Sequence, residues 1–453
     1  MKVHFIAIGG SIMHNLAIAL KAKGYTVSGS DDEIYEPSFS ALKSEGLLPE
    51  QMGWFPDRVT EDLDAVILGM HAREDNPELQ KAKSLGLKVY SYPEYVYEQS
   101  KNKQRVVVAG SHGKTTVTAM IIHVLKAAGK NPDYLVGARL KGVERPVKLT
   151  EEAPVIVIEG DEYFTSPTDR RPKFLNYHHH FGVITGIAWD HVNVYPEYDT
   201  YEDQFRQFAE LTPKAGLIAY SEDDKTLKKL IKQAQINEED VKLFPYGAVK
   251  TKVKDGITYL KQTGEALKVF GEHNMQNINA AMIICSQLGV SEETFNQAIT
   301  SFEGASLRLQ LLAEKNGTKV FRDFAHAPSK VQATVQAFAK QFKGSKSVAC
   351  LELHTFSSLN KDFIGQYKNT MKDADEAIVY FSPKTIEHKK LSPISVSEVE
   401  NAFAHKNIKV FTDSEMLKQY LTQKDWNNHN LLIMTSGSFD GLNLIDLAEE
   451  VTK

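Results

Sequence analysis

Val106-Val107-Val108-Ala109-Gly110-Ser111-His112-Gly113-Lys114-Thr115-Thr116 is the stretch whose reading decides the fold. Four apolar residues suit a buried strand, and the periodic stretch Val117 to Lys126 predicts a helix just beyond the loop. A strand, a glycine-bearing turn and a helix in that order form a phosphate cradle. Backbone N–H groups and the helix N-terminus face the anion, the lysine reaches the terminal phosphates, and a hydroxyl binds magnesium. Gly110, Ser111, His112, Gly113, Lys114, Thr115 and Thr116 are therefore expected to bind a nucleoside triphosphate. The first glycine of the full phosphate-loop pattern would fall at Val108, so this is a shorter variant, and a glycine turn without nucleotide is the plainer alternative.

Working outward, 453 residues allow two to four domains with buried cores. Apolar and charged fractions of 42% and 25% are those of an ordinary globular chain, and a net charge of −5 gives no reason to expect nucleic acid or an anionic membrane as partner. Cys285 and Cys350 are the two cysteines, too few for a disulfide framework or a zinc site. Lys2-Val3-His4-Phe5-Ile6 reads as a first strand rather than a signal peptide, and no apolar run is long enough to span a bilayer. A reducing, cytoplasmic setting without membrane insertion is the expectation.

Strand-like runs alternate with helix-length amphipathic stretches throughout, which predicts α/β with mostly parallel sheets. The alternation restarts twice. Glu98 to Gln104 reads as a linker before the phosphate-loop strand, and Phe302 to Ser306 as a second joint. Beyond it come strands at Val320-Phe321, Val348 to Leu351, Ala377 to Tyr380, Ile408 to Phe411 and Leu431 to Met434. Three domains follow: 1–103, 104–303 and 304–453. The first opens with a strand, Val3 to Ile8, then Gly9-Gly10-Ser11 and an apolar helix pattern, then a strand ending at Ser28-Gly29-Ser30-Asp31. This βαβ start suits a diphosphate, with Asp31 placed for a ribose hydroxyl. Ala7 and Ile12 stand where a dinucleotide fingerprint has its first and third glycines, which argues against a nicotinamide-dependent oxidoreductase, the different-class alternative. The glycines also suit simple packing of helix on sheet.

Val155-Ile156-Val157-Ile158 is an apolar strand ending at Glu159-Gly160-Asp161-Glu162, and Gly182 to Ile187 is another, followed by Trp189-Asp190-His191. Carboxylates at strand ends sit where open α/β sheets bind ligands. Magnesium needs only one or two carboxylates beside phosphate oxygens. The two acidic strand ends and the phosphate loop are thus expected to meet at one metal-bound triphosphate. A solvated charge cluster and a buried, hydrogen-bonded His191 are the alternatives. His178-His179-His180 reads as a surface loop, because adjacent residues of an extended segment alternate faces and cannot readily share one ion. Asn274 and Asn277 lie three apart on one helical face, suited to a base edge, with capping by Asn274 equally open. Arg308 follows the second joint, and Asp323-Phe324-Ala325-His326-Ala327-Pro328 closes a strand.

Together these residues resemble the Mur ligase family, the ATP-dependent amide-forming enzymes of peptidoglycan assembly, over essentially the whole chain and in order. His4 to Gly10 with Met13 and Ser28 to Asp31 resembles its UDP-binding domain. Gly110 to Thr116 is similar to its G-T-x-G-K-T-T loop, Glu159 to Glu162 to E-A-D-E, and Asp190-His191 to its D-H pair. Gly271 to Asn277 is similar to G-x-H-N-x-x-N, and Asp323 to Pro328 to D-Y-A-H-x-P. The resemblance implies a Rossmann-like N-terminal domain binding UDP-sugar through Gly9, Gly10, Ser11, Met13, Ser30 and Asp31. It also implies a phosphate-loop ATPase central domain and a Rossmann-like C-terminal ligase domain. Lys114, Glu159 and His191 would be catalytic. Thr115 and Glu159 would ligate a first magnesium and His191 a second. Asn274 and Asn277 would hold adenine, Arg308 and Asp323 phosphate and ribose, and His326 the acceptor.

No lysine occurs in Tyr198 to Phe205, where several relatives carry a carbamylated one. That resembles the two branches acting on UDP-N-acetylmuramate. Asp169-Arg170-Arg171-Pro172-Lys173-Phe174 and Ile34-Tyr35-Glu36-Pro37 resemble the D-K-R-x-K-F and N-V-Y-P-P segments of the recycling branch. That branch, which attaches L-alanyl-γ-D-glutamyl-meso-diaminopimelate, is the expected one; the alternative branch adds L-alanine. Ala327 replaces a histidine of both, and Leu353-His354-Thr355-Phe356 lacks the usual arginine.

Overall fold

Continuous apolar runs become central parallel strands because both sheet faces must be covered, and the amphipathic stretches between them supply the covering helices. The computed structural model describes residues 1–70, 72–138, 140, 142–166, 169–189, 194–304 and 308–453. The first sheet is parallel, in the order β2-β1-β3-β4, from β1 (Lys2–Ile6), β2 (Thr26–Ser30), β3 (Ala65–Leu68) and β4 (Val89–Ser91). The second holds β5 (Gln104–Ala109), β6 (Asp133–Leu135), β7 (Val147–Lys148), β8 (Val155–Glu159), β9 (Phe181–Ile184), β10 (Leu217–Ser221) and β11 (Lys242–Tyr246). Its order is β11-β10-β9-β5-β8-β6-β7, so β8, which ends at Glu159, and β9 flank the phosphate-loop strand on either side.

A small antiparallel sheet, β12 (Thr251–Lys254), β13 (Ile257–Leu260) and β14 (Ala266–Leu267), follows. The last sheet comprises β15 (Gln310–Lys315), β16 (Thr318–Asp323), β17 (Lys346–Leu353), β18 (Glu376–Phe381), β19 (Ile408–Phe411) and β20 (His429–Met434). Its order is β15-β16-β20-β17-β18-β19, parallel but for the β15–β16 pair. The fold is α/β with parallel-dominated sheets.

The chain divides into two compact units, Met1–Gly247 with Gln276–Ile299, and Ala248–Met275 with Thr300–Lys453. Helix Glu272–Gln287 runs through the division. In the first unit one apolar core extends from Phe5, Leu16 and Ile67 to Val107, Ile158, Phe174 and Phe205. In the second, Phe321, Val331, Leu351 and Phe381 lie in one cluster and Val320, Cys350, Ile378 and Leu447 in another. Each such side chain contributes roughly 1.5–3 kcal/mol by leaving water. Both cysteines are buried.

Two segments differ from their sequence expectation. Glu98, Gln99 and Ser100 are the end of helix Tyr92–Ser100, which Ser91 and Glu94 start with a capping box, rather than a linker. Lys103 beyond it is buried, its ammonium matched by Asp133 Oδ2 at 2.8 Å, Thr150 O at 2.6 Å and Ala153 O at 2.9 Å. Three acceptors for three N–H donors let a cation sit inside. The histidine tract is not a uniform surface loop. His178 is exposed, but His179 is buried, stacked on Phe208 at 4.0 Å and bonded to Thr212 Oγ1 at 2.9 Å. Burial, with neighbouring histidines and Arg105, lowers its pKa to about 3, so it stays neutral.

Candidate active site

The phosphate loop is a close-fitted turn. Gly110 has φ +122°, and a Cβ there would lie 2.2 Å from Thr185 Oγ1 and 2.7 Å from Thr185 N. Gly113 has φ +81°, and its Cβ would lie 2.5 Å from Asn277 Oδ1. Glycine is required at both positions, once for conformation and once for space. Thr185, just beyond β9, donates its hydroxyl to Ala109 O at 3.2 Å and to His112 O. Ser111 N donates to Gly186 O at 2.8 Å, and Ser111 Oγ accepts from Ala188 N at 3.0 Å. Helix Lys114–Ala127 then begins directly after Gly113, aiming its first turn at the loop.

Each of the three strand-end carboxylates has its own partner. Glu159 Oε1 accepts from Thr115 Oγ1 at 2.5 Å, and Oε2 from Gly137 N at 2.7 Å. Lys114 Nζ lies 2.7 Å from Glu162 Oε2 and donates to Gly110 O at 2.6 Å. Asp161 Oδ2 accepts from Lys173 Nζ at 2.6 Å. Burial alone would pull the Lys114 ammonium down, but Glu162, Glu159 and Asp161 hold it above its usual range. Burial pushes Glu159 up, opposed by Thr115, the Gly137 amide and Lys114. The cluster is therefore internally paired rather than solvated.

Thr115 and Glu159 offer a hydroxyl and a carboxylate in contact at a helix N-terminus, the hard oxygen donors magnesium prefers, so these residues fit the ion the family implies. Among the described residues no group of three or more histidines, cysteines or acids is arranged to hold a metal. His191, expected at a second magnesium, and Asp190 lie outside the described residues.

At the N-terminal loop, Ala7 adopts φ +66°, the left-handed region that the missing glycine would supply without steric cost. Gly9 N donates to Asp31 Oδ2 at 2.7 Å, which brings the loop and the end of β2 together. Burial raises Asp31 to about 6 despite that bond. Ser30 is fully buried and accepts from Arg58 Nη1 at 3.0 Å, Met13 is buried under Gly10, and Ser11 is exposed at the helix start.

In the second unit, Asp323 accepts from Leu309 N at 2.8 Å and Ala325 N at 2.7 Å, and the Arg308 guanidinium lies 5.2 Å from the Phe324 ring centre. His326 bonds to Phe324 O at 2.9 Å, and Asn274 Nδ2 donates to Phe270 O at 2.8 Å. Burial holds His273 below its usual range, with Asp323 opposing and Arg308 reinforcing the shift.

Several residues escaped the sequence reading. Gly137 and Thr185 act through a backbone amide and a short hydroxyl, which leave no motif. Glu162 stood in the quoted acidic run, but its pairing with Lys114 across 48 positions is tertiary.

Family models match the chain in three consecutive pieces: "Mur ligase family, catalytic domain" over 2–104, "Mur ligase middle domain" over 108–285 and "Mur ligase, glutamate ligase domain" over 307–439. The chain is 32% identical over 395 residues to a UDP-N-acetylmuramate–L-alanine ligase of Caldicellulosiruptor bescii, covering 83% of each. Among solved structures, the UDP-N-acetylmuramate–alanine ligase of Thermotoga maritima is similar with TM-score 0.69 and 21% identity, over 100% of this chain and 98% of that one. The UDP-N-acetylmuramate:L-alanyl-γ-D-glutamyl-meso-diaminopimelate ligase of Neisseria meningitides gives TM-score 0.58 and 26% identity, over 66% of this chain and 98% of that one. A MurF ligase of Thermotoga maritima, solved with ADP, gives 0.60 and 16%, over 86% and 88%. Three domain models in order and a relative of this identity and coverage lead to one conclusion: the chain belongs to the Mur ligase family, whose members are ATP-dependent ligases that form amide bonds.

Proposed function

We propose that this chain joins the lactyl carboxylate of UDP-N-acetylmuramate to the amine of L-alanine, converting ATP to ADP and phosphate. The observation that carries this reading is the Lys114–Thr115–Glu159 cradle in a chain whose curated relatives bear the L-alanine ligase name. Those relatives support L-alanine as acceptor better than the tripeptide that the sequence motifs favoured. The tripeptide is the second reading, favoured by the Asp169–Phe174 segment and by the 26% identity to the Neisseria enzyme.

A carboxylate does not condense with an amine in water, because its oxygen is a poor leaving group. In the proposed sequence a carboxylate oxygen attacks the γ-phosphorus, ADP departs, and an acyl phosphate results. The amine nitrogen then attacks the carbonyl carbon, phosphate leaves, and the ammonium proton passes to solvent. Such chemistry depends on positioning and charge neutralisation. Lys114 would exchange Glu162 for the terminal phosphates, and the Gly110 to Gly113 turn would wrap them with backbone amides. Thr115 and Glu159 would hold a magnesium ion, which when bound neutralises phosphate charge. His191 would hold a second. Gly9, Gly10 and Ser11 would receive the UDP diphosphate, and Met13, Ser30 and Asp31 would shape that loop. Arg308, Asp323, Asn274 and His326 carry the nucleotide and acceptor roles that the family implies.

The test is phosphate release from ATP with UDP-N-acetylmuramate and either L-alanine or the tripeptide. Turnover with L-alanine that needs the muramate is the expected result. Turnover with the tripeptide alone would move the chain to the second reading. Phosphate release indifferent to the muramate would overturn both.

A further inference from the structure

The segment Asp169 to Phe174 finds no use in the mechanism above, yet the structure returns it to the phosphate-loop carboxylates. Thr165 N donates to Arg171 O at 2.9 Å and Lys173 N to Tyr163 O at 3.0 Å, so the chain doubles back on itself after Glu162. Asp169 and Arg171 brace the turn through Arg171 Nη2 and Asp169 Oδ2 at 2.7 Å, and Phe174 is fully buried behind it. Lys173 is thereby delivered to Asp161, with Nζ–Oδ2 at 2.6 Å. Its side chain is 8% exposed against 38% for Asp161, and its ammonium lies 5.6 Å and 5.7 Å from the ring centres of Tyr92 and Tyr163. An ammonium between two aromatic faces and a carboxylate is held in place by the ring quadrupoles as well as by the ion pair.

The strand end carries Glu159, Asp161 and Glu162 against Lys114 and Lys173, a formal balance of minus one. Glu162 and Asp161 each pair with a lysine. Glu159 instead faces a hydroxyl and an amide, the neutral partners a metal-binding carboxylate can keep. The charge on Asp161 is felt at both Glu159 and Lys114. Resting on the ligase reading, we propose that Lys173 is a positioning residue of the nucleotide site: it keeps Asp161 neutralised beside Glu159 when Lys114 turns from Glu162 to the phosphates, so that the magnesium and the polyphosphate meet one uncompensated carboxylate fewer at this strand end. Nothing about Lys173 itself touches the reacting atoms.

The test is equilibrium ADP binding by titration calorimetry, with and without magnesium, alongside thermal unfolding of each unliganded variant. Lys173→Met is expected to weaken magnesium–ADP binding about tenfold, within the range of couplings between contacting charges. Asp161→Asn in the same chain should restore it to within about threefold of wild type, because the charge that Lys173 masks has gone. Lys173→Arg, which keeps the cation, should bind as wild type does. If Lys173→Met proves unfolded, the double variant carries the test, since it retains neither charge and still must bind. A Lys173→Met chain that folds and binds ADP unchanged would overturn the role of Lys173 and leave the ligase reading intact. So would a double variant as weak as the single one. A wild-type chain that binds no ADP would overturn the ligase reading and this inference with it.

Discussion

Replacing Lys114 by methionine is expected to destabilise the folded chain as well as to remove ATP use. The ammonium lies 2.7 Å from Glu162 Oε2, with the two side chains 14% and 3% exposed. At an effective dielectric of about 20 two charges that close attract by about 6 kcal/mol, most of it offset by the desolvation of both. Breaking such a pair from one side costs about 3–5 kcal/mol, because the surviving charge stays buried without its counterion. Lys114→Met with Glu162→Gln removes both charges and should recover most of that loss. Glu162→Gln alone should cost less than Lys114→Met, since Lys114 keeps its bond to Gly110 O at 2.6 Å and the nearby Glu159 and Asp161. Equilibrium urea unfolding of the four chains, read as free energies by linear extrapolation, measures each corner of the cycle. Loss of activity in Lys114→Met would therefore combine lost phosphate contact with lost stability. A Lys114→Met chain within about 1 kcal/mol of wild type, or a double variant as unstable as the single, would refute the reasoning.

Gly110→Ala should lose about 2–5 kcal/mol, from φ +122° and from a Cβ 2.7 Å from the Thr185 backbone nitrogen. Adding Thr185→Ala should recover less than half in the same urea assay, since the backbone clash persists. Asp31 is raised by burial to about 6 from 3.8. Its contribution to stability is therefore fully present below about pH 4 and lost as pH rises through 6. Asp31→Asn should accordingly gain on wild type in thermal midpoint between pH 4 and 7. A difference that stays flat across that window would show that Asp31 does not titrate in this way.

The strand, glycine turn and helix around Lys114 were legible because an apolar run, two glycines and a periodic stretch follow one another within about two dozen positions. The strands of the last sheet were legible for a similar reason: Val348 to Leu351 and Leu431 to Met434 are apolar on both faces, as central parallel strands must be. Sheet order was not, because it is decided by which crossover packs where. Ala7 looked like a defect of the glycine loop, yet alanine reaches the left-handed region there at a cost of about 1–2 kcal/mol. Glu98 to Gln104 is not a linker throughout, because polar residues here are helical or buried and paired. Lys103 is polar and buried, and its acceptors come from residues thirty to fifty positions away. Lys173 stood out only as part of a resemblance, since its partner Asp161 reaches it through a fold-back that spacing does not disclose.

Burial raises both thiols, Cys285 to about 12 and Cys350 further, so neither offers a thiolate to reagents at neutral pH while the chain is folded. Their alkylation rate thus becomes an internal clock for opening, with Cys350 timing the last sheet and Cys285 timing helix Glu272–Gln287. A third cysteine placed at the exposed Phe356 could then carry a fluorophore without removal of either native one.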